Sequence, residues 1–230
     1  MTARADPSGR PGLRLFLDSA DRAAWAHWLP TGLFFGVTTN PTILDAAGLR
    51  CTLPVIADLV RDALAHGIEE LQVQSWGTET GNLVRHGLAV AALSPRVVIK
   101  VPITLEGVRA VAELHRAGVR TTLTAVYAAH QALTGAAAGA DYVAPYFGRI
   151  GDLGRDAPAE IGRMRAILQA SGGRTRLLVA SIRSADDLAV LAASGIDTFT
   201  FGTTVAEALF AVDGTITASS QFEATAAGVR

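Results

Sequence analysis

Apolar and polar positions along the chain alternate between two kinds of segment. Short runs rich in Val, Ile, Leu, Phe and Thr recur as LRLFLDS (13–19), FFGVTTN (34–40), EELQVQS (69–75), RVVIKVP (96–102), RTTLTAVY (120–127), YVAPYFG (142–148), RLLVASI (176–182) and DTFTFGT (197–203). Several are nearly continuous apolar stretches, the pattern of parallel strands buried on both faces. Between them lie Ala- and Leu-rich segments with helical spacing. Val108, Val111, Ala112 and Leu114 form one stripe, and Leu188, Leu191 and Ala192 another. Eight strand signals alternating with helix signals, each repeat near the ~30 residues of a strand–helix–strand unit, predict a (β/α)8 TIM barrel. A doubly wound open sheet has the same periodicity and stands as the alternative. The polar start, MTARADPSGRPG, predicts a loose tail over residues 1–12. The barrel is expected over 13–216, with a C-terminal segment over 217–230.

Composition narrows the class. Half of the 230 residues are hydrophobic and the net charge is −1, so a large core is available and no basic surface invites nucleic acid or anionic membrane. No apolar run approaches the roughly 20 residues of a membrane span. The single cysteine, Cys51, has no partner for an internal disulfide, which fits a reducing cytoplasm. The five histidines share no metal-type spacing with one another or with Cys51, so no metal is expected. SGGR (171–174) is a turn without the GKS/T of a phosphate loop, and Trp25 and Trp28 read as packing residues on the first helix.

In a barrel of this kind, active groups lie at the C-terminal ends of the strands. The polar residues there are Asp18, Thr38, Thr39, Asn40, Gln72, Gln74, Lys100, Thr124, Tyr146, Arg149, Ser181, Arg183, Thr203 and Thr204. Lys100 is the only lysine in the chain, and every other basic side chain is arginine. Guanidinium stays protonated and is a poor nucleophile. An amine flanked by Val97, Val98, Ile99 and Val101 can lose its proton and attack a carbonyl. The resulting protonated imine is an electron sink for a carbon–carbon bond breaking nearby. Asp18, Gln72, Thr124 and Tyr146 are the residue types that would move the protons and water involved. A buried structural ion pair is the competing reading of Lys100. Arg149 and Arg183, with Ser181, suit an anion such as a phosphate, and their position toward the seventh and eighth strands favours that over simple pairing with Asp152 or Asp156.

The segments LFLDSAD, GVTTNPTIL, VVIKVPIT-x-EG, AVY-x-A-x-QA, GADYVAPYFGRI and VASIR, in this order, resemble the short transaldolase family, which includes small transaldolases and fructose-6-phosphate aldolase. The resemblance runs from Leu15 to Ala206. It implies a cofactor-free Schiff-base enzyme acting on sugar phosphates, or on ketones and aldehydes, with Lys100 as the imine-forming residue. Asp18 would move protons at the hydroxyl beside the breaking bond, and Thr124 would help hold a catalytic water. Thr39 and Asn40 would hold substrate. Arg149, Ser181 and Arg183 match the family's phosphate positions.

Transaldolases typically carry glutamate on the third strand and phenylalanine on the sixth. Fructose-6-phosphate aldolase carries glutamine and tyrosine, as Gln72 and Tyr146 do here, with Gln74 a rival for the first. The resemblance therefore favours an aldolase releasing a dihydroxyacetone-type donor. A transaldolase passing that unit to another sugar is the alternative, and a silent sugar-phosphate-binding barrel a third. A homo-oligomer, pentamer or decamer, is also implied, its C-terminal segment packing on a neighbouring subunit. Three features depart from the family: Trp76 after the third strand, expected either over the pocket or on the next helix, TFTFGTT in place of a proline-bearing eighth strand, and a tail without the usual aspartate–tryptophan ending.

Overall fold

The computed structural model describes residues 12–228. Of the expected tail, residues 1–11 lie outside the described residues, while the Gly12 carbonyl accepts a hydrogen bond from Arg176. The eight strands are β1 (Arg14–Asp18), β2 (Gly36–Thr38), β3 (Glu70–Gln74), β4 (Val97–Pro102), β5 (Thr121–Val126), β6 (Tyr142–Pro145), β7 (Arg176–Leu177) and β8 (Thr198–Phe201). All are parallel and run in the order β7-β6-β5-β4-β3-β2-β1-β8. Beyond Leu177 the chain continues extended. The Val179 N–H donates to the Thr198 carbonyl (3.0 Å), and the Thr200 N–H donates to the Val179 carbonyl (2.9 Å). This pairing joins the two ends of the sheet and makes the barrel, so the open-sheet alternative is set aside.

The helices are α1 (Arg22–Trp28), α2 (Pro41–Ala46), α3 (Leu53–Ala65), α4 (Thr80–Ala91), α5 (Leu105–Arg116), α6 (Ala129–Ala137), α7 (Phe147–Asp152), α8 (Ala157–Ala170), α9 (Ala185–Ala193), α10 (Thr203–Ala208) and α11 (Asp213–Ala226). Odd positions of β4 (Val97, Ile99, Val101) join the core shared with the helices, while Val98 belongs to a separate cluster inside the barrel with Phe16, Phe35, Tyr142, Ala144 and Leu178. Period-two alternation therefore turns Lys100 inward with Val98.

α5 shows how a helix is fixed over the next strand end. Thr104 caps it by accepting from the Gly107 N–H (3.0 Å), a contact usually worth about 1 kcal/mol. A Cβ on Gly107 would lie 1.9 Å from the Pro102 carbonyl, so only glycine allows this approach to β4. The buried stripe is Gly107, Ala110, Val111 and Leu114, with Val108 and Ala112 half-buried at its margin. On α9, Leu188 and Leu191 are buried, but Ala192 is exposed. Trp25 and Trp28 are core residues, as expected, and the Trp25 indole N–H donates to the Ser19 carbonyl (3.0 Å). α11 buries no residue. Among the described residues no helix is long and apolar enough to cross a membrane.

Candidate active site

Lys100 projects from β4 into the barrel with 4% of its surface exposed. Removal from water pushes its amine below the ordinary lysine value, and the Asp18 carboxylate pulls partly the other way. This is the balance a nucleophilic amine needs: desolvation favours the neutral form and outweighs one carboxylate. Asp18, at the end of β1, is held by the Thr38 hydroxyl, which donates to its Oδ1 at 2.6 Å. The Thr200 hydroxyl lies 2.5 Å from that of Thr38, so a chain of hydroxyls crosses β8, β2 and β1 beneath the carboxylate. Thr200 was not singled out from sequence. The alternation in TFTF, which puts Thr198 and Thr200 on one face, carried the signal.

Asp18, Asn40, Lys100, Tyr146, Arg149 and Ser181 line one cleft of about 70 Å³. A second cleft of about 320 Å³ opens beside it and is also lined by Asp18, Asn40 and Arg149, together with Gln74. Asn40 caps α2, its Oδ1 accepting from the Ile43 N–H (3.0 Å), which leaves its amide N–H groups as donors at the cleft. The Thr124 hydroxyl donates to the Tyr146 phenol oxygen (3.1 Å). The Tyr146 ring meets Tyr127 edge-on, with centroids 5.7 Å apart, and the Arg149 guanidinium carbon lies 5.0 Å from its centroid. Two non-glycine residues here have positive φ. Ala125 (58°) sits in the irregularity of β5 just after Thr124, and Ser181 (59°) follows the pairing region of β7. Such backbone costs roughly 1–3 kcal/mol and concentrates at functional sites.

Other sequence-predicted residues lie elsewhere. Gln72 is fully buried; its Nε2 donates to Glu70 (2.9 Å) and its Oε1 accepts from Thr122 (2.8 Å). Gln72 pairs along the ladder with Val98, whereas Gln74 pairs with Lys100. Thr39, expected at the substrate, instead turns its hydroxyl onto the Gln72 carbonyl (3.2 Å). Its odd position between Thr38 and Asn40 gives it the opposite face. Trp76 stacks on His86 of α4 at 4.3 Å, and the His86 Nδ1 lies 2.7 Å from the Trp76 carbonyl, so the indole packs on the helix rather than over either cleft. Arg183 forms a two-pronged pair with Asp152 (Nη1 to Oδ1 2.8 Å), the simpler of the two partnerships open to it from sequence. Arg149 faces the cleft.

A closed parallel barrel with one dehydrated lysine at its C-terminal rim, faced by a carboxylate and a phenol, can do imine chemistry on a carbonyl compound. Comparison with known proteins agrees. Residues 15–228 match the family model for transaldolase/fructose-6-phosphate aldolase. A probable transaldolase of Phenylobacterium zucineum (strain HLK1) is 37% identical over 198 residues, covering 86% of this chain and 89% of its own. One from Caulobacter sp. (strain K31) is 38% identical over 188 residues, covering 82% and 84%. The chain belongs to the transaldolase/fructose-6-phosphate aldolase family and is a transaldolase-type enzyme.

Proposed function

We propose that the protein is a class I aldolase of the fructose-6-phosphate aldolase type. It would make or break a carbon–carbon bond in a ketose phosphate and release a dihydroxyacetone-type donor. The Lys100 amine adds to the ketose C2 carbonyl and expels water, leaving a protonated imine. Asp18 takes the proton of the C4 hydroxyl. The C3–C4 electron pair moves into the imine, and the aldehyde departs. The Tyr146 phenol, hydrogen-bonded to Thr124, delivers a proton to C3 of the enamine; water then hydrolyses the imine and frees the ketone. Asn40 holds substrate hydroxyls, and Arg149 with Ser181 meets the phosphate.

The observation that carries this reading is the phenol of Tyr146 in the same cleft as Lys100. A proton donor there lets the enamine be quenched, whereas phenylalanine would leave it waiting for an acceptor aldehyde. Transaldolase activity is the second reading, favoured by the relatives named probable transaldolase. Incubation with fructose 6-phosphate and no acceptor should accumulate free dihydroxyacetone, and borohydride should trap a donor fragment on the Lys100 peptide. Trapping without accumulation, with efficient transfer to erythrose 4-phosphate, would favour the transaldolase. We further infer a cytoplasmic homo-oligomer. Support comes from Ile216 and Phe222, more than half exposed on a helix with no buried residue, and from the lone Cys51.

A further inference from the structure

β3 turns two glutamines into the barrel and leaves them in opposite conditions. Leu71 and Val73 join the core shared with the helices, so Glu70, Gln72 and Gln74 face the other way, inward. Gln72 is fully buried and engaged at both ends of its amide, donating to Glu70 and accepting from Thr122. Gln74 lies two residues nearer the rim, roughly 6.5 Å further along the strand. It is level with Lys100 in the ladder and half-buried. Among the described residues its side-chain amide has no hydrogen-bond partner.

The two clefts at the rim divide the site. Lys100 and Tyr146, which act on the carbons that stay on the enzyme, line the smaller cleft of about 70 Å³ and not the larger one. Gln74 lines the larger cleft of about 320 Å³, together with Pro41, Thr42 and Ile43 of α2. Asp18, Asn40 and Arg149 border both. In the cleavage proposed above, Asp18 takes the proton of the C4 hydroxyl and Arg149 meets the phosphate. Both groups belong to the departing aldehyde, so that fragment lies along the larger cleft between them. Its remaining polar group is the C5 hydroxyl, and the unpartnered amide of Gln74 lines the same space.

We propose that Gln74 is a specificity-determining residue that hydrogen-bonds the C5 hydroxyl of the ketose. In the addition direction this is the α-hydroxyl of the incoming aldehyde, so the site selects α-hydroxyaldehydes over aldehydes that lack it. A carboxamide carries donors and an acceptor, and a hydroxyl can use either. In that direction the enamine carbon attacks the aldehyde carbon, the new C4 oxygen takes a proton from Asp18, and Gln74 holds the neighbouring hydroxyl without exchanging a proton. An aldehyde without that hydroxyl leaves the amide unpaired when it fills the cleft, which is how a polar group in a site rejects an apolar analogue. The inference rests on the aldolase reading above and concerns the acceptor class of that same site.

The test is Gln74→Met, which keeps the shape of the side chain and removes the amide, with Gln74→Leu as a second variant. Each is first checked for an unchanged melting curve. Addition of dihydroxyacetone is measured to glyceraldehyde 3-phosphate and to its 2-deoxy analogue, 3-oxopropyl phosphate, which differ only in the α-hydroxyl. The kcat/KM ratio of the first over the second should fall about tenfold in the variants, the size of one hydrogen bond lost. An unchanged or higher ratio, with both aldehydes affected alike, would overturn the proposal and leave Gln74 as a residue that only shapes the rim. Borohydride trapping of fructose 6-phosphate on Lys100 in the parent protein tests the aldolase reading separately. If trapping succeeds but free dihydroxyacetone does not add, the enzyme transfers the unit rather than releasing it, and the same ratio is read with fructose 6-phosphate as the donor. If nothing is trapped, the imine falls and this proposal falls with it.

Discussion

Lys100 and Glu70 are both buried charged-type residues in the barrel interior, on adjacent strands, and they are provisioned differently. Glu70 is fully buried. It accepts from Arg120 at 2.6 Å, from the Tyr142 phenol at 3.1 Å and from the Gln72 amide at 2.9 Å. Arg14 in turn donates to the Tyr142 oxygen at 2.6 Å. Burial, and then the Glu70 charge, push the Tyr142 phenol above its ordinary value, so it stays a donor. Lys100 has open cleft on one side, and the charge acting on it is that of Asp18. A network that uses its donors and acceptors internally holds a fold together, since each member's loss strands the others. A dehydrated amine with space beside it is costly to keep, and the cost shows where a ligand would react.

The comparison breaks most clearly at the lysine. Lys100→Arg keeps the charge and removes the nucleophile, so aldol cleavage should fall to background and the borohydride adduct should vanish. Retained activity would end the imine mechanism. At the other end, Glu70→Ala should leave activity per folded molecule largely intact but cost about 1–3 kcal/mol of stability, because it strands the buried Tyr142 and Gln72 donors, while the partly exposed Arg120 turns to water. Denaturant melts would show this, and a shift under about 1 kcal/mol would mean the network is not stabilising.

The smallest effect sharpens the contrast: Lys100→Met should raise the melting temperature, most at low pH. The Lys100 amine has a folded value below its ordinary 10.5. Below the folded value both states hold the proton, and the full cost of burying the charge opposes folding. As pH rises toward 10.5, the folded state has shed the proton while the unfolded chain keeps it, so the penalty is relieved. The advantage of the variant should therefore shrink with rising pH across that window. An advantage growing with pH would reverse the assignment.

Much of this was legible in order along the chain. The eight strand segments appear where the apolar runs placed them, because strand formation in a parallel barrel follows local alternation and burial on both faces. RLLVASI is the partial exception: only Arg176–Leu177 form a regular strand, and beyond them Val179 and Ala180 make isolated bridges to Phe199 and Tyr146 before Ser181 takes a positive φ. Asp18, Asn40, Tyr146 and Arg149 meet at the Lys100 cleft because each lies at a strand end or in the first few residues after one, a position that sequence spacing reports directly. Glu70 was missed because a glutamate at a strand start looks like surface charge until its partners Arg120, just before β5, and Tyr142 of β6 are seen.

By itself, then, the sequence determined the repeat, the inward face of each strand and the place of the one lysine. Those are properties of neighbouring residues along the chain. The tertiary structure decided which residues meet across it. β7 closes on β8, Gln72 rather than Gln74 joins Glu70, Thr39 turns away, Trp76 stacks on His86, and Asp152 takes the fork of Arg183. Each is a choice among partners distant in sequence, settled by strand register and helix placement, which a period of two or of 3.6 residues does not encode.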